Sequence, residues 1–462
     1  MLYDLLFFAL FTIFVIIFLY RKRENLERQG ILYLYRTKLG IKFIDIFAKR
    51  FKKILKPLQY VVICLGYVLM AGIIWLLGKS IYLYIREPGV SQLLGKTPPL
   101  APLIPYFPKL FGLESFFPPL YFTYFLIALA VVAIVHEFSH GIFARLNKLK
   151  IHSTGFAFLG PILGAFVEQD EKQMEKAKKF PQLAILGAGV FANVVVSIIF
   201  CVVMVLFFVG TFSPAGVVFQ GYAFSEINLE GVVLPAVEGN ESFVELNVDG
   251  AKYFAGAKAL EKAKEKGYST LLVYDDTPAF EVGLIGAISE IDGVKINNIE
   301  ELSTVIKSHK PGDNVLIRTL VKEDAQDTNP YAKDFVVELG EREGIAYLGI
   351  LSYPIETRGA MGWFYENIIM KYKNPQVLYE SSWGEFGWFV YYLLWWLVVI
   401  NILVALFNML PLGILDGGRF FYLTVWGITG NEKVGRIAFK TVTWLILLFL
   451  ALMMFKWLFL FF

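Results

Sequence analysis

Histidine and cysteine are scarce in this chain of 462 residues, which has four histidines and two cysteines. Both cysteines, Cys64 and Cys201, lie inside apolar runs, so the sequence predicts neither a disulfide framework nor a C-x-x-C site. Charged residues are few, at 18%, and there is no phosphate-binding glycine loop or basic patch typical of nucleic-acid binding. Any metal site must therefore use histidine and carboxylate ligands, and we expect no nucleic-acid partner.

Hydrophobic residues, by contrast, make up 56% of the chain, and the mean hydropathy is +0.57. Soluble proteins of this length rarely reach such values, so the composition predicts a polytopic α-helical membrane protein. The first apolar run is followed rather than preceded by basic residues, which favours a retained anchor over a cleavable signal peptide. Six runs are long enough to cross a bilayer: Leu2–Tyr20, Leu58–Leu77, Leu120–Phe143, Leu183–Val209, Phe389–Leu410 and Ala438–Phe461.

The distribution of basic residues predicts the orientation of these spans. The segment Arg21–Lys56 is densely basic and is expected on the cytoplasmic side, beside anionic lipid headgroups. Counting onward, Arg145–Phe180 is also cytoplasmic, and the polar segment from about Thr211 to Gly387 is extracytoplasmic. The Lys- and Ile-rich, cysteine-poor composition indicates the plasma membrane of a prokaryote, with an archaeal source as one option.

An H-E-x-x-H motif lies near the end of the third run, formed by His136, Glu137 and His140. On a helix, histidines at i and i+4 share one face, where both can bind zinc while the glutamate acts as general base on water. The alternative is a pair of buried histidines bonded to backbone carbonyls. His152 and His309 lie in polar contexts and are expected to be ordinary solvated or loop residues.

A catalytic zinc site needs a third protein ligand, and the end of the fifth run offers one. Asp416 is an isolated acid that follows Pro411, a helix-breaking residue. Gly413, Gly417 and Gly418 permit the tight backbone that would aim a carboxylate inward. A helix-capping aspartate in a D-G-G turn is the alternative. The third and fifth runs end on the same predicted side, which favours the ligand.

Together, H-E-x-x-H in one span and N-x-x-P-x-x-x-x-D-G-G in a later one resemble the site-2 protease family of intramembrane zinc metalloproteases. The resemblance covers the core from about the third to the fifth span. It implies that His136, His140 and Asp416 hold Zn²⁺. It also implies that Glu137 activates water.

Three further residues carry expectations of the same kind. Gly189 to Asn193, in the fourth span, is similar to the family's G-x-x-x-N element, whose asparagine lies near the active site. Simple interhelical hydrogen bonding of Asn193 is the alternative. Asn408 is expected either to contact substrate or to satisfy backbone groups that Pro411 frees.

Two segments predict structure around the core. Thr154–Val167 is apolar but too short and too broken by glycine and proline to span, which predicts a re-entrant hairpin. A substrate strand could add to its edge, and an inert interfacial loop is the alternative. In 211–351, the order of strand, D-G turn, helix Asn298–Lys307 and strand Val315–Leu320 resembles a PDZ domain. Such an α+β domain would bind an extended peptide or block bulky substrates.

These observations divide the chain into five predicted parts. They are an N-terminal anchor with a basic segment (1–57), a membrane core (58–210), the PDZ-like domain (211–351), an aromatic-rich interfacial segment with Met361–Tyr365 (352–388), and a second part of the membrane core (389–462).

The predicted function is that of an intramembrane zinc metalloprotease. Its predicted substrates are transmembrane segments that carry helix-weakening residues near the cytoplasmic side. A membrane-anchored zincin facing the cytosol is the nearest rival, with a third ligand from Glu168, Glu171 or Glu175. A metal transporter could use the same residues for transit. A silent PDZ scaffold is the third rival, and the intact H-E-x-x-H argues against it. The sequence leaves substrate identity, oligomeric state and activating signal open.

Overall fold

The computed structural model of the protein describes residues 2–30, 32–86, 103–114, 116–160, 162–230, 232, 234–235, 242–324, 327–351 and 372–458. Its helices, in chain order, are α1 (Leu2–Arg21), α2 (Leu39–Arg50), α3 (Lys52–Arg86), α4 (Phe107–Leu110), α5 (Phe122–Leu146), α6 (Glu171–Lys176), α7 (Lys179–Thr211), α8 (Ala257–Lys266), α9 (Pro278–Glu281), α10 (Ile299–Ser308), α11 (Gly384–Asn408), α12 (Asp416–Thr429) and α13 (Glu432–Leu458). Within these ranges, α1, α3, α5, α7, α11 and α13 are long and apolar enough to cross a membrane. The six predicted spans are therefore confirmed, and the chain has the architecture of a polytopic helical membrane protein.

The strands follow the same numbering: β1 (Leu26–Gln29), β2 (Leu32–Thr37), β3 (Ile151–Leu159), β4 (Ile162–Gln169), β5 (Phe212–Val218), β6 (Gly221–Tyr222), β7 (Phe224–Asn228), β8 (Phe243–Val248), β9 (Ala251–Gly256), β10 (Thr270–Asp275), β11 (Ala287–Ile291), β12 (Val294–Lys295), β13 (Asn314–Val321), β14 (Tyr331–Glu338), β15 (Gly340–Arg342), β16 (Ile345–Tyr347), β17 (Ile350–Leu351) and β18 (Val377–Ser381). The chain folds as two compact units. The first joins Met1–Leu206 to Phe389–Phe462 and holds most of the apolar spans. The second is Phe207–Trp388 and holds strands β5 to β18.

The core of the first unit lies among α2, α3, α5, α7, α11 and α12 rather than on the outer spans. Ile44, Val62, Ala188 and Phe420 are fully buried in this cluster. Close helix approach there depends on small residues: a Cβ on Gly187 would lie 3.1 Å from the backbone oxygen of Val62. Small residues at such crossings are typical of helices that associate in a bilayer, because no hydrophobic effect drives them together.

A carboxylate from α1 caps the first turn of α5. Asp4 accepts hydrogen bonds from the backbone N–H groups of Phe122 and Thr123, at 2.8 and 2.9 Å. It also accepts from the Thr123 hydroxyl at 2.7 Å and the Tyr106 hydroxyl at 2.5 Å. The first N–H groups of a helix have no partner within the helix, so this buried side chain satisfies donors that would otherwise be costly in an apolar setting.

The predicted hairpin over Thr154–Val167 is present as β3 and β4, which pair antiparallel with Gly155 opposite Phe166. The chain turns after Gly160, whose φ of +58° suits glycine. A second hairpin, β1 with β2, comes from the segment that the sequence showed only as basic. It pairs with β3 to give the order β1-β2-β3-β4, so β4 is an edge strand.

The second unit contains a sheet in the order β14-β13-β11-β5-β18, with β12 paired to β11. The predicted strand, D-G turn, helix and strand all form here: the turn residues Asp292 and Gly293 have positive φ, and Asn298 caps α10 through the Glu301 N–H. The PDZ-like assignment itself stays a prediction. β18 comes from the segment predicted as interfacial, whereas Met361–Tyr365 lies outside the described residues.

A separate four-stranded sheet in the same unit has no counterpart in the sequence-based expectations. Its order is β7-β10-β9-β8, and α8 packs on it with Leu260 fully buried. Phe280, which belongs to α9 beside the larger sheet, contacts Phe254 at 4.5 Å and Tyr274 at 5.5 Å between ring centroids. Aromatic packing thus joins the two sheets of this unit.

Candidate metal centre

The two motif histidines lie on one face of α5, one turn apart, as helical spacing requires. His136 and His140 are buried, and their Nε2 atoms are 3.0 Å apart. Burial of both rings with their Nε2 atoms facing each other gives two nitrogen donors aimed at one point.

Asp416 meets the same point from the start of α12. Its Oδ2 lies 3.1 Å from Nε2 of His136 and 3.2 Å from Nε2 of His140. The described residues contain this one group of three or more histidine, cysteine or acidic side chains whose donor atoms lie close enough to hold a metal. Ligand atoms around a tetrahedral zinc are about 3.3 Å apart, because zinc bonds to nitrogen and oxygen are about 2.0–2.1 Å long. The donor set and its spacing therefore fit a zinc ion.

The backbone before Asp416 explains how an acid 280 positions from His136 reaches the histidines. α11 ends at Asn408, before Pro411, as the helix-breaking proline predicts. A Cβ on Gly417 would collide with the backbone of Met409, and one on Gly418 with the carbonyl of Leu412. The two glycines of D-G-G thus allow α12 to start against the preceding turn, which fixes the direction of the carboxylate.

Gly413 has a weaker role than the sequence indicates. A Cβ there would meet only the Phe439 ring, at 3.6 Å, which is ordinary contact. The tight backbone therefore depends on the two glycines that follow the aspartate.

The Nδ1 atoms of both imidazoles contact neighbouring polar groups, the Ile185 carbonyl and the Asn193 side-chain amide, which leaves Nε2 for a metal. Nδ1 of His140 lies 2.7 Å from the carbonyl oxygen of Ile185, and it must donate to that acceptor. This bond selects the tautomer whose Nε2 carries a lone pair toward Asp416.

Asn193 provides the corresponding contact to His136. Its side-chain amide lies 3.2 Å from Nδ1 of His136, and the residue is fully buried. The Asn193 Oδ1 atom has no hydrogen-bond partner among the described residues. Turning this amide over places Oδ1 on Nδ1–H of His136, which satisfies the orphaned oxygen and directs the lone pair of Nε2 toward Asp416. The buried, half-satisfied amide thus fits a histidine whose Nε2 is directed at the group of candidate metal donors.

Gly189 lets α7 approach the two rings. A Cβ at this position would lie 2.6 Å from Cε1 of His136 and 2.6 Å from Nε2 of His140. Real Cβ atoms do not come this close to other heavy atoms, so any larger residue forces the rings to move. The predicted G-x-x-x-N element therefore supplies space at its glycine and a polar contact at its asparagine.

Glu137 stands apart from the three donors. Its Oε2 accepts a hydrogen bond from the backbone N–H of Val167, at 3.1 Å. Val167 belongs to the edge strand β4, so the motif helix and the hairpin meet at the glutamate. Sequence reasoning did not find this contact, because a backbone donor leaves no signature in the residue types.

A cavity of about 510 Å³ opens beside the donors. Asn408 lies on its wall, as does Arg419, whose guanidinium donates to Oε1 of Gln182 at 3.2 Å. Its lining residues are His136, Glu137, His140, Val167, Glu168, Gln169, Glu171, Met174, Ile185, Leu186, Asn408, Ile414, Leu415, Asp416 and Arg419. The cavity is mostly polar and large enough for an extended peptide segment of a few residues.

Two of the three glutamates of the rival assignment, Glu168 and Glu171, line this cavity, whereas Glu175 lines a neighbouring one. Glu168 is hydrogen-bonded to Ser153 and lies 3.4 Å from Arg36. Asp170, between Gln169 and Glu171, caps α6 by accepting the Gln173 N–H at 2.9 Å, and this backbone hydrogen bond lowers the pKa of its carboxyl group. The acid whose oxygen meets both histidines is Asp416, so the geometry favours the D-G-G carboxylate.

The two remaining histidines lie elsewhere. His152 is 3.5 Å from Asp170, and His309 is 3.2 Å from Asp292 in the second unit. Both make ordinary surface contacts, as their polar contexts predict.

Comparison with known proteins assigns the chain to a family. A sequence profile of peptidase family M50 matches residues 124–453, which is more than half of the chain and contains all three donors. The chain belongs to peptidase family M50. M50 is the site-2 protease family of zinc metalloproteases, so the family resemblance predicted from the motifs is confirmed.

The chain is also similar to an uncharacterized protein of Methanocaldococcus jannaschii. The two are 33% identical over 187 residues, which is 40% of this chain and 46% of the relative. The chain thus spans less than half the length of this curated relative.

Proposed function

We propose that this M50 member is an intramembrane zinc metalloprotease that cleaves transmembrane segments of membrane-protein substrates. In this proposal His136, His140 and Asp416 hold Zn²⁺. The observation that carries it is the convergence of two Nε2 atoms and one Oδ2 atom within 3.2 Å of one another, on α5 and at the start of α12. α5 is itself apolar enough to span a membrane, which supports chemistry at membrane depth.

Glu137 is the general base and acid of the proposed reaction. A zinc ion held at the three donors supplies a Lewis acid that polarises the scissile carbonyl and acidifies water. The Glu137 carboxylate takes a proton from the attacking water and then delivers it to the leaving amine. The Val167 N–H orients this carboxylate through Oε2, and a carboxylate has further lone pairs with which to accept from water.

The edge of β4 is the proposed binding site for the scissile segment. The N–H of Val167 points away from β3. Because alternate residues of an antiparallel strand point their N–H groups to the same side, those of Ala165 and Leu163 also point outward from the β4 edge. An unwound substrate strand can pair with this edge and lie beside Glu137. A helical span hides its carbonyls in internal hydrogen bonds, so substrates should carry helix-weakening residues near the site.

The orientation follows from the positive-inside rule. Arg21–Lys56 and Arg145–Phe180 are the basic connections, and both adjoin the end of α5 that carries the motif. We therefore infer a site that opens toward the cytoplasm of a prokaryotic plasma membrane. The second unit would then be extracytoplasmic, where a PDZ-like domain binds extended peptide or excludes bulky substrates.

Cleavage in proteoliposomes tests the proposal. A single-span substrate with glycine and proline in its cytoplasmic half should be cut, and the same span made of leucine should resist; equal rates would contradict the unwinding step. Glu137→Gln should retain zinc and lose turnover by about 10²–10⁴-fold. Asp416→Ala should lose both. Glu171→Gln, at the rim of the same cavity, is the matched control and should retain both.

Two results would overturn the assignment. Full zinc occupancy in Asp416→Ala would remove Asp416 from the ligands. Zinc flux across the vesicle wall without proteolysis would establish a transporter. Proteomics comparing cells with wild type and Glu137→Gln should reveal single-span fragments that accumulate in the variant.

A further inference from the structure

Helix α2 is apolar on two opposite faces, although it is too short to span. It has 12 residues, whereas a spanning helix needs about 20. Ile44 and Ala48 are buried against the protein core. Leu39 and Ile46 point the other way, with 83% and 64% of their surface exposed. Phe43 lies beside them with 56% of its surface exposed, and its ring also contacts Phe138 of α5, at 6.0 Å between ring centroids. In water such a face would be a liability, so its position relative to the bilayer matters.

The chain on either side fixes where α2 lies. α2 ends at Arg50, and α3, a candidate span, starts at Lys52 with only Phe51 between them. α2 therefore lies at one end of the apolar band, at the level where headgroups begin. Basic residues surround the exposed face: Lys42, Lys49 and Arg50 are all exposed, and further lysines follow in the first turn of α3.

The buried face of α2 packs on the motif turns of α5. A Cβ on Gly40 would lie 2.6 Å from the Phe138 ring, and a Cβ on Gly141 would lie 2.8 Å from Cδ1 of Ile44. Phe138 and Gly141 flank His140 in the sequence. The two glycines leave no room between the helices, so a displacement of α2 would move the helix that carries both histidines.

A second set of polar contacts locks α2 in this position. Arg145, near the end of α5, forms an ion pair with Asp45 at 2.7 Å. The N–H of Gly40 lies 3.4 Å from Oγ1 of Thr154 in β3. α2 is thus attached to both the motif helix and the hairpin that carries the edge strand.

We propose that α2 is an in-plane membrane-surface helix that inserts Leu39, Phe43 and Ile46 into a leaflet of anionic lipid and holds the motif helix at a fixed depth. An apolar face with adjoining lysine and arginine is the pattern that binds such a surface, because apolar burial and attraction to anionic headgroups add. The chemistry of the face commits it to phospholipid rather than to a soluble partner. The effect on catalysis rests on the proposed proteolytic function, and the lipid contact does not.

Spin labels measure the lipid contact without any activity. In a chain with Cys64→Ser and Cys201→Ser, labels at Phe43→Cys and Ile46→Cys should be more accessible to oxygen than to a water-soluble nickel complex in vesicles with anionic lipid. Lys42→Cys should show the opposite, and Ile16→Cys on α1 serves as the lipid-facing control. Nickel accessibility at both Phe43 and Ile46, or spin–spin broadening that reveals a second copy on this face, would overturn the proposal.

The effect of this lipid contact on cleavage is tested with a triple variant that combines Lys42→Gln, Lys49→Gln and Arg50→Gln. Adding anionic phospholipid to neutral vesicles should raise wild-type cleavage by roughly fivefold or more, and the triple variant should lose most of that rise. Free inorganic phosphate should not replace the lipid. An equal rise in the triple variant would overturn the coupling. A wild-type chain that cleaves nothing while the labels report lipid contact would instead refute the proteolytic function alone.

Discussion

Two stretches of the chain meet on the motif helix, and they contribute different things. Residues 124–453, the part matched by family M50, contain the three candidate donors, the proposed general base Glu137 and the edge strand β4. The described residues before them contribute no donor to the candidate metal group, yet Asp4 caps the start of α5 and α2 packs on its last turns. The family core thus carries the chemistry, while the preceding residues fix the position of the helix that presents it.

The β1–β2 hairpin shows the same division. β2 extends the family hairpin by pairing with β3, with Arg36 opposite Gly155. β4 stays at the other edge, next to Glu137. The preceding residues therefore cover the edge of β3 and move that side of the sheet out to β1, while the β4 edge beside Glu137 stays open.

The largest effect is expected at Gly189. Gly189→Ala puts a methyl group against both histidine rings, so zinc affinity should fall about a hundredfold and cleavage should be lost. Gly210→Ala, on the same helix with open space around it, is the control. Isothermal titration of the metal-free proteins measures both, and normal zinc affinity in Gly189→Ala would contradict the ring positions.

Asp4 tests the contribution of the preceding residues. Asp4→Ala leaves two helix N–H groups and two hydroxyls without their acceptor, which should destabilise the fold by about 2 kcal/mol. Asp4→Asn keeps one acceptor oxygen and should recover part of the loss. Thermal unfolding in detergent reports the difference. If Asp4→Ala changed neither the unfolding temperature nor the zinc affinity, the family core would be sufficient to position α5 without Asp4.

Gly155 tests the joint between the two hairpins. A Cβ there would collide with the backbone oxygen of Tyr35, so Gly155→Ala should separate β2 from β3 and cost about 1–3 kcal/mol. Gly164→Ala, which meets only ordinary contacts 3.8 Å away in the same hairpin, should be nearly neutral. Hydrogen exchange should show faster exchange in β1 and β2 of the Gly155 variant, and equal protection would argue against the joint.

Asn193 carries the smallest expected effect within the site. Asn193→Ala removes the polar contact to Nδ1 of His136, so zinc affinity should fall about tenfold, which is about 1.4 kcal/mol. Ser197→Ala, one turn along α7, removes a hydrogen bond to the Val398 carbonyl and should leave zinc binding unchanged. Equal effects of the two changes would reduce Asn193 to a helix-packing residue.

The parts of this protein that sequence reasoning reached are those with a local signature. Apolar runs of spanning length predicted the six long helices, and the i, i+4 spacing of His136 and His140 predicted their shared face. The D-G-G motif identified Asp416, but only its family resemblance and predicted side of the membrane linked it to the histidines. The contacts of the Val167 N–H with Glu137 and of the Ile185 carbonyl with His140 could not be predicted, because nearly every residue carries the same backbone groups.

The four-stranded sheet of the second unit was not predicted from the sequence. Its strands alternate buried and exposed residues, as in Phe243–Val248, and the sequence analysis recognised this region only by its soluble composition. No residue pattern marked where one sheet ended and the next began, because the polypeptide leaves the larger sheet after β5 and returns to it at β11.

The sequence by itself determined the spans, the helical face of the two histidines and the donor chemistry, because hydropathy and helical period act over neighbouring residues. Only the tertiary structure decided that Asp416 meets those histidines, that Asp4 caps their helix and that β2 pairs with β3. These contacts join residues more than a hundred positions apart, and their geometry depends on backbone approach at glycines such as Gly189 and Gly417. Such approach is set by how whole helices pack, which no local pattern encodes.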